Sequence, residues 1–275
     1  MFDVRLSGGL GNQLFQAATG LYLQNRFGGS LRLTDATAQY RTRRTLDLSR
    51  VLRVPHMLQT ESSSMLDGVL HDLRIGRAST PLSINDNTAE RVFGQTTLRR
   101  TLIAGRLPYL VDGYFQDCWS DDSLQRMLEL VQSCALGCTQ GDHTVVHVRG
   151  GDFLKIPKYR IADQAFYQRA FRLLESQLGD GARELAVLTD DQAYAGSLLS
   201  GCELPGSWSW RLVADGDIVH DFQLLQGAAH RVIGNSTFSW WASALGAKHS
   251  STISTTHWTL DRAKRYRLAH ETLVS

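Results

Sequence analysis

Strand-like and helix-like segments alternate through the second half of the chain. The strand-like runs cover residues 144–148, 184–188 and 231–233, and segments with helical spacing of apolar residues cover 164–177, 220–228 and 239–245. A parallel pair of strands needs a crossover connection, which is usually a helix. The alternation therefore predicts an α/β fold with a parallel sheet that carries helices on both faces.

The first half opens with a similar unit. Residues 2–6 alternate as in a strand, a glycine turn follows, and apolar residues recur at helical spacing from Leu14 to Tyr22. Further along, residues 31–33 are a predicted strand, residues 110–115 a predicted strand that leads into a loop, and residues 124–135 a predicted helix. Between residues 35 and 105 the pattern is compatible both with helical pieces and with loops.

Size and charge limit the classes of protein that this chain can belong to. At 275 residues the chain exceeds one usual core, which predicts two α/β domains, residues 1–140 and 141–275. With 29 basic and 27 acidic residues the net charge is +2, so we expect no nucleic-acid partner.

Basic residues nevertheless cluster locally. These clusters are Arg41, Arg43 and Arg44, and Arg262, Lys264, Arg265 and Arg267. A solvated face is the favoured interpretation, and peripheral contact with an anionic membrane surface is the second.

The four cysteines have no zinc-binding spacing, and Cys134 and Cys138 lie in a segment predicted to be helical. We expect reduced or buried thiols.

No run approaches the roughly 20 apolar residues of a membrane span, and the first residues enter a strand rather than a signal peptide. The expected location is the cytoplasm, or the inner face of the plasma membrane in the case of peripheral contact.

A strand delivers three functional side chains into a glycine-rich turn. His147, Arg149 and Asp152 surround Gly150 and Gly151. Arginine offers paired planar donors to phosphate oxygens, and the glycines free backbone amides for an anion. The alternative is a surface turn with an ordinary Arg149–Asp152 ion pair.

The turn after the first strand has a related design. Gly9 and Gly11 let a ligand approach the backbone at a helix N-terminus, and Asn12 and Gln13 add two amide side chains. A dinucleotide fingerprint would need glycine where Leu14 stands, which disfavours a nicotinamide cofactor. A turn that serves packing alone is the other interpretation.

Asn235, Ser236 and Thr237 precede the last predicted helix of the alternating series. A helix has a single N-cap position, which would explain only one of these three residues. Three in a row point to a second anion site at a helix N-terminus. Trp240 and Trp241 are predicted to be packing residues.

Asp190 and Asp191 follow a predicted strand at the edge where ligands bind in parallel sheets, which makes Asp190 a candidate substrate-binding residue. Adjacent carboxylates also raise a metal hypothesis. Neighbouring side chains on a turn diverge, so we expect no metal.

Several segments, in order, resemble glycosyltransferase family 11, the α-1,2-fucosyltransferases. They are residues 8–16 (GGLGNQLFQ), 113–116 (GYFQ), 147–153 (HVRGGDF), 189–191 (TDD), 221–225 (DFQLL) and 234–241 (GNSTFSWW).

The resemblance implies a GT-B fold in which two Rossmann-like domains face each other across a donor-binding cleft, with a final helix that can pack back on the first domain. It also implies inverting transfer of L-fucose from GDP-fucose without metal or cofactor. The implied acceptor is the 2-hydroxyl of a terminal β-galactoside in a surface glycan or lipid-linked oligosaccharide such as an O-antigen unit.

Roles carry over by position. In related enzymes the motif arginine, here Arg149, holds the diphosphate, and Ser236 and Thr237 close on it. His147 and Asp221 correspond to the residues that bind guanine.

Asn12 is placed to touch the diphosphate or the fucose, and Asp152 to orient the loop and Arg149. The general base stays open among Asp112, Asp117 and Asp152. The family usually has a second arginine where this chain has Gly150, which puts donor affinity or donor identity in question.

Three alternatives remain at this point. One is a transferase of the same fold with another GDP-deoxysugar or linkage. The second is a dinucleotide-dependent oxidoreductase, and the third is a non-catalytic protein that binds a nucleotide sugar.

Overall fold

The chain forms two compact units, Met1–Leu136 and Gly137–Ser275. The computed structural model describes residues 1–37, 45–54, 57–60, 83–93, 109–179, 181–213, 216–247, 250–261 and 266–275. The division between the units lies close to the domain boundary expected after residue 140. Most of the region between residues 35 and 105, and all of the basic clusters except Arg267, lie outside the described residues.

The first unit is a five-stranded parallel sheet with order β3-β2-β1-β5-β4. Its elements are β1 (Phe2–Leu6), α1 (Leu10–Phe27), β2 (Leu31–Asp35), β3 (Leu58–Thr60), β4 (Ser83–Ile84), α2 (Asp86–Phe93), β5 (Tyr109–Val111) and α3 (Asp121–Cys134). The predicted strand, glycine turn and helix at the start of the chain are confirmed. The strand predicted to lead into a loop within residues 110–115 is confirmed, and it ends at Val111.

The second unit is a six-stranded parallel sheet with order β11-β10-β9-β6-β7-β8. Its elements are β6 (Thr144–Val148), α4 (Gln164–Leu178), β7 (Arg183–Thr189), α5 (Gln192–Ser200), β8 (Trp208–Leu212), α6 (Ile218–Gly227), β9 (His230–Ile233), α7 (Thr237–Ala244), β10 (Ser251–Thr255) and β11 (Glu271–Val274). The predicted alternation is confirmed, and α5, β8, β10 and β11 are additional.

Helices cover both faces of this second sheet. Val146 and Val148 of β6 belong to the core cluster that contains Phe166 and Phe171 of α4. Successive side chains of a strand point to opposite faces. His147 accordingly faces the other side, where its ring lies 5.6 Å from that of Phe238 in α7.

Two expectations about the chain are wrong. The last regular element of the described residues is β11, not a helix, because residues 271–274 extend along the free edge of β10 in parallel register. Cys138 lies beyond α3, which ends at Cys134, and not within a helix. The four cysteines are free thiols, as expected. No helix of the described ranges is long and apolar enough to cross a membrane.

A buried arginine stabilises the end of α6. The Arg231 guanidinium donates to the carbonyls of Leu225 (2.6 Å) and Gln226 (2.5 Å) and to Ser250 Oγ (2.6 Å), and the side chain is completely buried. Both carbonyls belong to the last turn of α6, where a helix has no internal donors for them. Burial lowers the pKa of Arg231 to about 10, so the guanidinium stays charged at neutral pH.

We expect Arg231→Met to lower the free energy of unfolding by about 3 kcal/mol, because it leaves buried carbonyls without donors. Urea denaturation measures this loss. The control is Arg172→Met on α4, where the side chain is 69% exposed and where we expect a change within about 0.5 kcal/mol. Equal stability of the two variants would contradict the role of Arg231.

Candidate functional site

Three loops meet at one edge of the second sheet. β6 is hydrogen-bonded to β9 on one side and to β7 on the other, and all three strands are parallel. Their carboxyl ends deliver residues 149–152, 189–191 and 234–237. Ligands of open parallel sheets bind outside this edge, so the three segments singled out in the sequence lie together.

The Arg149 guanidinium is held between two carboxylates. It forms ion pairs with Asp152 and with Asp190, the second at 2.6 Å, and it lies 4.9 Å from the centre of the Phe153 ring. Its side chain is 20% exposed. A guanidinium fixed in this way still has donors for an incoming anion, because it carries five N–H groups in all.

The glycine loop after Arg149 is anchored on the turn that follows β7. The Gly150 amide donates to Asp190 Oδ1 (2.8 Å) and the Gly151 amide to Asp191 Oδ2 (3.4 Å). A Cβ atom on Gly150 would lie 2.5 Å from the Cβ of Asp191. An arginine at position 150 therefore does not fit this backbone arrangement, which gives a physical reason for the departure from the family pattern.

The two adjacent aspartates are occupied by protein groups. Asp190 accepts from Arg149 and Gly150, and Asp191 also caps α5 through Tyr194 N (3.1 Å). Within the described ranges no group of three His, Cys, Asp or Glu residues could hold a metal ion. Substrate contact by Asp190 stays a prediction, and sequence reasoning missed that both aspartates hold the Arg149 loop.

His147 is a buried, neutral imidazole. Only 6% of the residue is exposed, and Nδ1 has no hydrogen-bond partner among the described residues. Burial, with a smaller effect from Arg149, lowers the pKa of His147 to about 3. A buried polar atom without a partner is unusual and marks a place where a ligand atom can bind. Phe238 packs beside it, and Phe222 of α6 packs on Phe238.

Two polar residues at the start of α7 differ in their hydrogen bonds. The Asn235 amide donates to the carbonyls of Tyr159 (3.1 Å) and Trp258 (2.7 Å), which makes it a brace between loops. Ser236 is the N-cap residue, yet its side chain makes no capping hydrogen bond. Substrate binding by Asn235, Ser236 and Thr237 stays a prediction.

The glycine turn of the first unit exposes backbone at the start of α1. Gly8 has a φ of +74°, and a Cβ on it would meet Asn12 Nδ2 at 2.7 Å, so the turn requires glycine there. Gly9 caps the helix, and nothing lies within 4 Å of the position that its Cβ would take. Gly11 is buried in α1. A ligand can therefore reach the backbone of Gly9.

The amide side chains of this turn brace it. Gln13 is fully buried and donates to the carbonyls of Gly8 (3.0 Å) and Thr45 (2.9 Å). Gln16, to which the sequence assigned no role, accepts from Ser7 N (2.8 Å). Substrate binding by Gln13 stays a prediction, and the convergence of this turn with Arg149 on one diphosphate stays a prediction as well.

The candidate bases differ in their surroundings. Asp112 Oδ2 lies 3.9 Å from Arg5 Nη1, and Asp117 is exposed. Asp152 is paired with Arg149. Asp221, which is a candidate for binding guanine and not a candidate base, is partly buried in the first turn of α6.

Comparison with known proteins places this chain in a family. Residues 95–269 match the family described as glycosyl transferase family 11. A curated relative, the O-antigen biosynthesis glycosyltransferase WbnK of Escherichia coli, is 24% identical over an alignment 280 positions long, which covers 87% of this chain and 88% of that protein.

Two solved structures are similar over most of their length. The fucosyltransferase NodZ from Bradyrhizobium aligns with 89% of this chain and 91% of its own at a TM-score of 0.49 and 12% identity. The heptosyltransferase WaaC of E. coli with ADP aligns with 93% and 88% at a TM-score of 0.41 and 12% identity. The match to the family model spans more than half of the residues of this chain, so the chain belongs to glycosyl transferase family 11.

Proposed function

We propose that this glycosyltransferase moves L-fucose from GDP-fucose to a glycan hydroxyl, with inversion and without a metal or another cofactor. The acceptor we propose is the 2-hydroxyl of a terminal β-galactoside, as a glycan or lipid-linked oligosaccharide in O-antigen or other surface-glycan synthesis. The observation that carries the proposal is the Arg149 guanidinium, held by Asp190 at the ligand-binding edge of the second sheet.

The chemistry of the leaving group supports this role for Arg149. As the bond from fucose to GDP breaks, negative charge grows on the diphosphate and positive charge on the sugar ring. Donors fixed before the reaction stabilise that charge best. In the second unit, such donors are Arg149 and the hydroxyl of Ser236, which makes no capping hydrogen bond. Thr237 follows Ser236 in the chain. Asn12 and the backbone of Gly9 supply them in the first.

We propose that His147 and Asp221 bind the guanine base. The neutral imidazole of His147 has a buried Nδ1 that needs a partner. Guanine carries N–H donors, and a carboxylate such as that of Asp221 can accept hydrogen bonds from them. The aromatic ring of Phe238 beside His147 offers an apolar wall for a base.

Attack by the acceptor hydroxyl on the opposite face of fucose gives inversion in one displacement. A carboxylate of Asp112, Asp117 or Asp152 can take the proton. Asp152 is the least suited as a base, because its carboxylate is already engaged by Arg149. We place the reaction in the cytoplasm or at the inner face of the plasma membrane, where a nucleotide-sugar donor is met.

One observation favours a second candidate. Gly150 removes a cation that the family usually has, and its surroundings leave no room for one. A transferase with another GDP-linked deoxysugar therefore remains a competing function. Screening GDP-fucose against other GDP-deoxysugars, with product mass and linkage as readout, separates the two.

Arg149→Ala should lower kcat about a hundredfold, or roughly 3 kcal/mol, because the leaving diphosphate loses its fixed cation. The measurement is GDP release during transfer, with circular dichroism as a check of folding. Arg172→Ala is the matched control, an exposed arginine in the same unit. Near-normal turnover by folded Arg149→Ala protein would refute the central role of this residue.

Asp221→Ala should weaken GDP binding by about 10-fold to 100-fold, with little change in kcat at saturating donor, because a contact with the base is the same in ground and transition states. Calorimetry with GDP gives the affinity. Glu203→Ala, with a side chain 87% exposed in the wild type, is the control. Unchanged GDP affinity would remove Asp221 from the base site.

Transfer activity should be the same in excess EDTA. The proposed site balances the diphosphate with protein groups, and both adjacent aspartates are engaged by the glycine loop. A loss of activity that manganese or magnesium restores would instead make Asp190 and Asp191 metal ligands.

A further inference from the structure

The loop at residues 113–117, called the aromatic loop here, carries an exposed aromatic ring at the ligand-binding edge of the first sheet. It follows β5, which pairs in parallel with β1, so it lies beside the glycine turn that follows β1. The Tyr114 residue is 41% exposed. The proposed donor chemistry assigns no role to this ring.

The backbone of the aromatic loop is strained. Phe115 has a φ of +54°, and it is the one residue other than glycine with a positive φ in the described part of the chain. A bulky side chain in this region costs about 1–2 kcal/mol. Such strain persists only where the surrounding structure holds the residue in place, and it is concentrated at functional sites.

A carboxylate from another element holds the strained segment. Asp86, the first residue of α2, accepts from Tyr114 N (3.0 Å) and from Phe115 N (2.5 Å). A Cβ on Gly113 would lie 3.0 Å from the Asp86 carboxylate, so glycine permits this close approach. Trp119 Nε1 donates to the Phe115 carbonyl at 2.8 Å.

The aromatic loop is also fixed to the glycine turn. Gln16 Nε2 donates to the Gly113 carbonyl (3.1 Å), and Gln116 Nε2 donates to Asn12 Oδ1 (3.0 Å). The Phe115 ring is fully buried. Tyr114 is therefore an exposed ring on a backbone anchored on both sides, which is the preorganisation that a binding site requires.

We infer that the aromatic loop is the platform for the acceptor sugar. This inference rests on the proposed function, in which the acceptor is a glycan. The Tyr114 ring would lie against the apolar C–H face of a galactose, while the Gln116 amide holds the loop to Asn12. Asp86 is a positioning residue that sets the direction of Tyr114.

The charges around the aromatic loop favour a neutral sugar over a nucleotide. Asp112, which lies 3.9 Å from Arg5, precedes the loop in the chain, Asp117 ends it, and Asp86 accepts from two of its backbone amides. Carboxylates repel a diphosphate, whereas they accept hydrogen bonds from hydroxyl groups. A ring with an apolar face beside amides and carboxylates matches the mixed surface of a hexose.

The test measures the KM for the acceptor and the KM for the donor separately. The probes are N-acetyllactosamine as acceptor and GDP-fucose as donor, with acceptor-independent hydrolysis of GDP-fucose as a further readout. We expect Tyr114→Ala to raise the acceptor KM about tenfold, with donor KM and hydrolysis unchanged. Tyr114→Phe is the matched control, because it keeps the ring and should keep the acceptor KM.

Asp86→Asn tests the positioning role. We expect a higher acceptor KM with the donor KM, the hydrolysis rate and the midpoint of thermal unfolding preserved. A wild-type acceptor KM for Tyr114→Ala would overturn the inference. So would an equal rise of the donor KM, since the ring would then serve the nucleotide.

Failure of the proposed function gives a different result. If the wild-type chain neither hydrolyses nor transfers from GDP-fucose, the donor assignment fails, and glycan binding is measured by saturation-transfer NMR with N-acetyllactosamine. A signal with the wild type that Tyr114→Ala abolishes would support the platform. No signal with the wild type, or the same signal with Tyr114→Ala, would overturn it.

Discussion

The candidate site of the second unit depends on one contact. In it, the loop that carries Arg149 packs against the turn that contains Asp190 and Asp191. A partly exposed ion pair contributes at most about 1 kcal/mol, so the Arg149–Asp190 pair alone would not hold two glycines in one conformation. The amides of Gly150 and Gly151, which donate to the same two aspartates, provide the rest. Fixing this cation requires glycine at position 150. The expectation that the two glycines free their backbone amides for an anion is therefore wrong, because both amides are engaged by the aspartates.

The alternation of the sequence predicted the parallel α/β architecture, because apolar runs and helical spacing are local properties. It missed β8 and β10 for physical reasons. β8 lies at an edge and is half exposed, so it has no continuous apolar run. β10 is buried but made largely of hydroxyl residues, such as Thr252, which bonds to Ser243 at 2.9 Å. When a polar residue is buried because it bonds to a residue elsewhere in the chain, the local sequence shows no periodic apolar pattern.

The same limit applies to the candidate site. Residue type and position at strand ends identified the segments around Arg149 and Ser236, since carboxyl ends of parallel strands meet at one edge. Sequence alone did not separate a side chain that faces a ligand from one that braces a loop. Gln13 and Asn235 donate to backbone carbonyls, and Asp86 received no role because its partners lie about 30 residues away in the chain.

Both units follow one principle: polar side chains brace the loops at the sheet edge, and few groups stay exposed there. In the second unit the braced group is the cation of Arg149, which suits a diphosphate. In the first unit the braced group next to the glycine turn is the ring of Tyr114, whose backbone amide donates to Asp86, and an exposed ring of this kind suits a neutral sugar. Two similar parallel sheets can therefore serve different substrates, because strand order sets where the loops lie and a few residues set their chemistry.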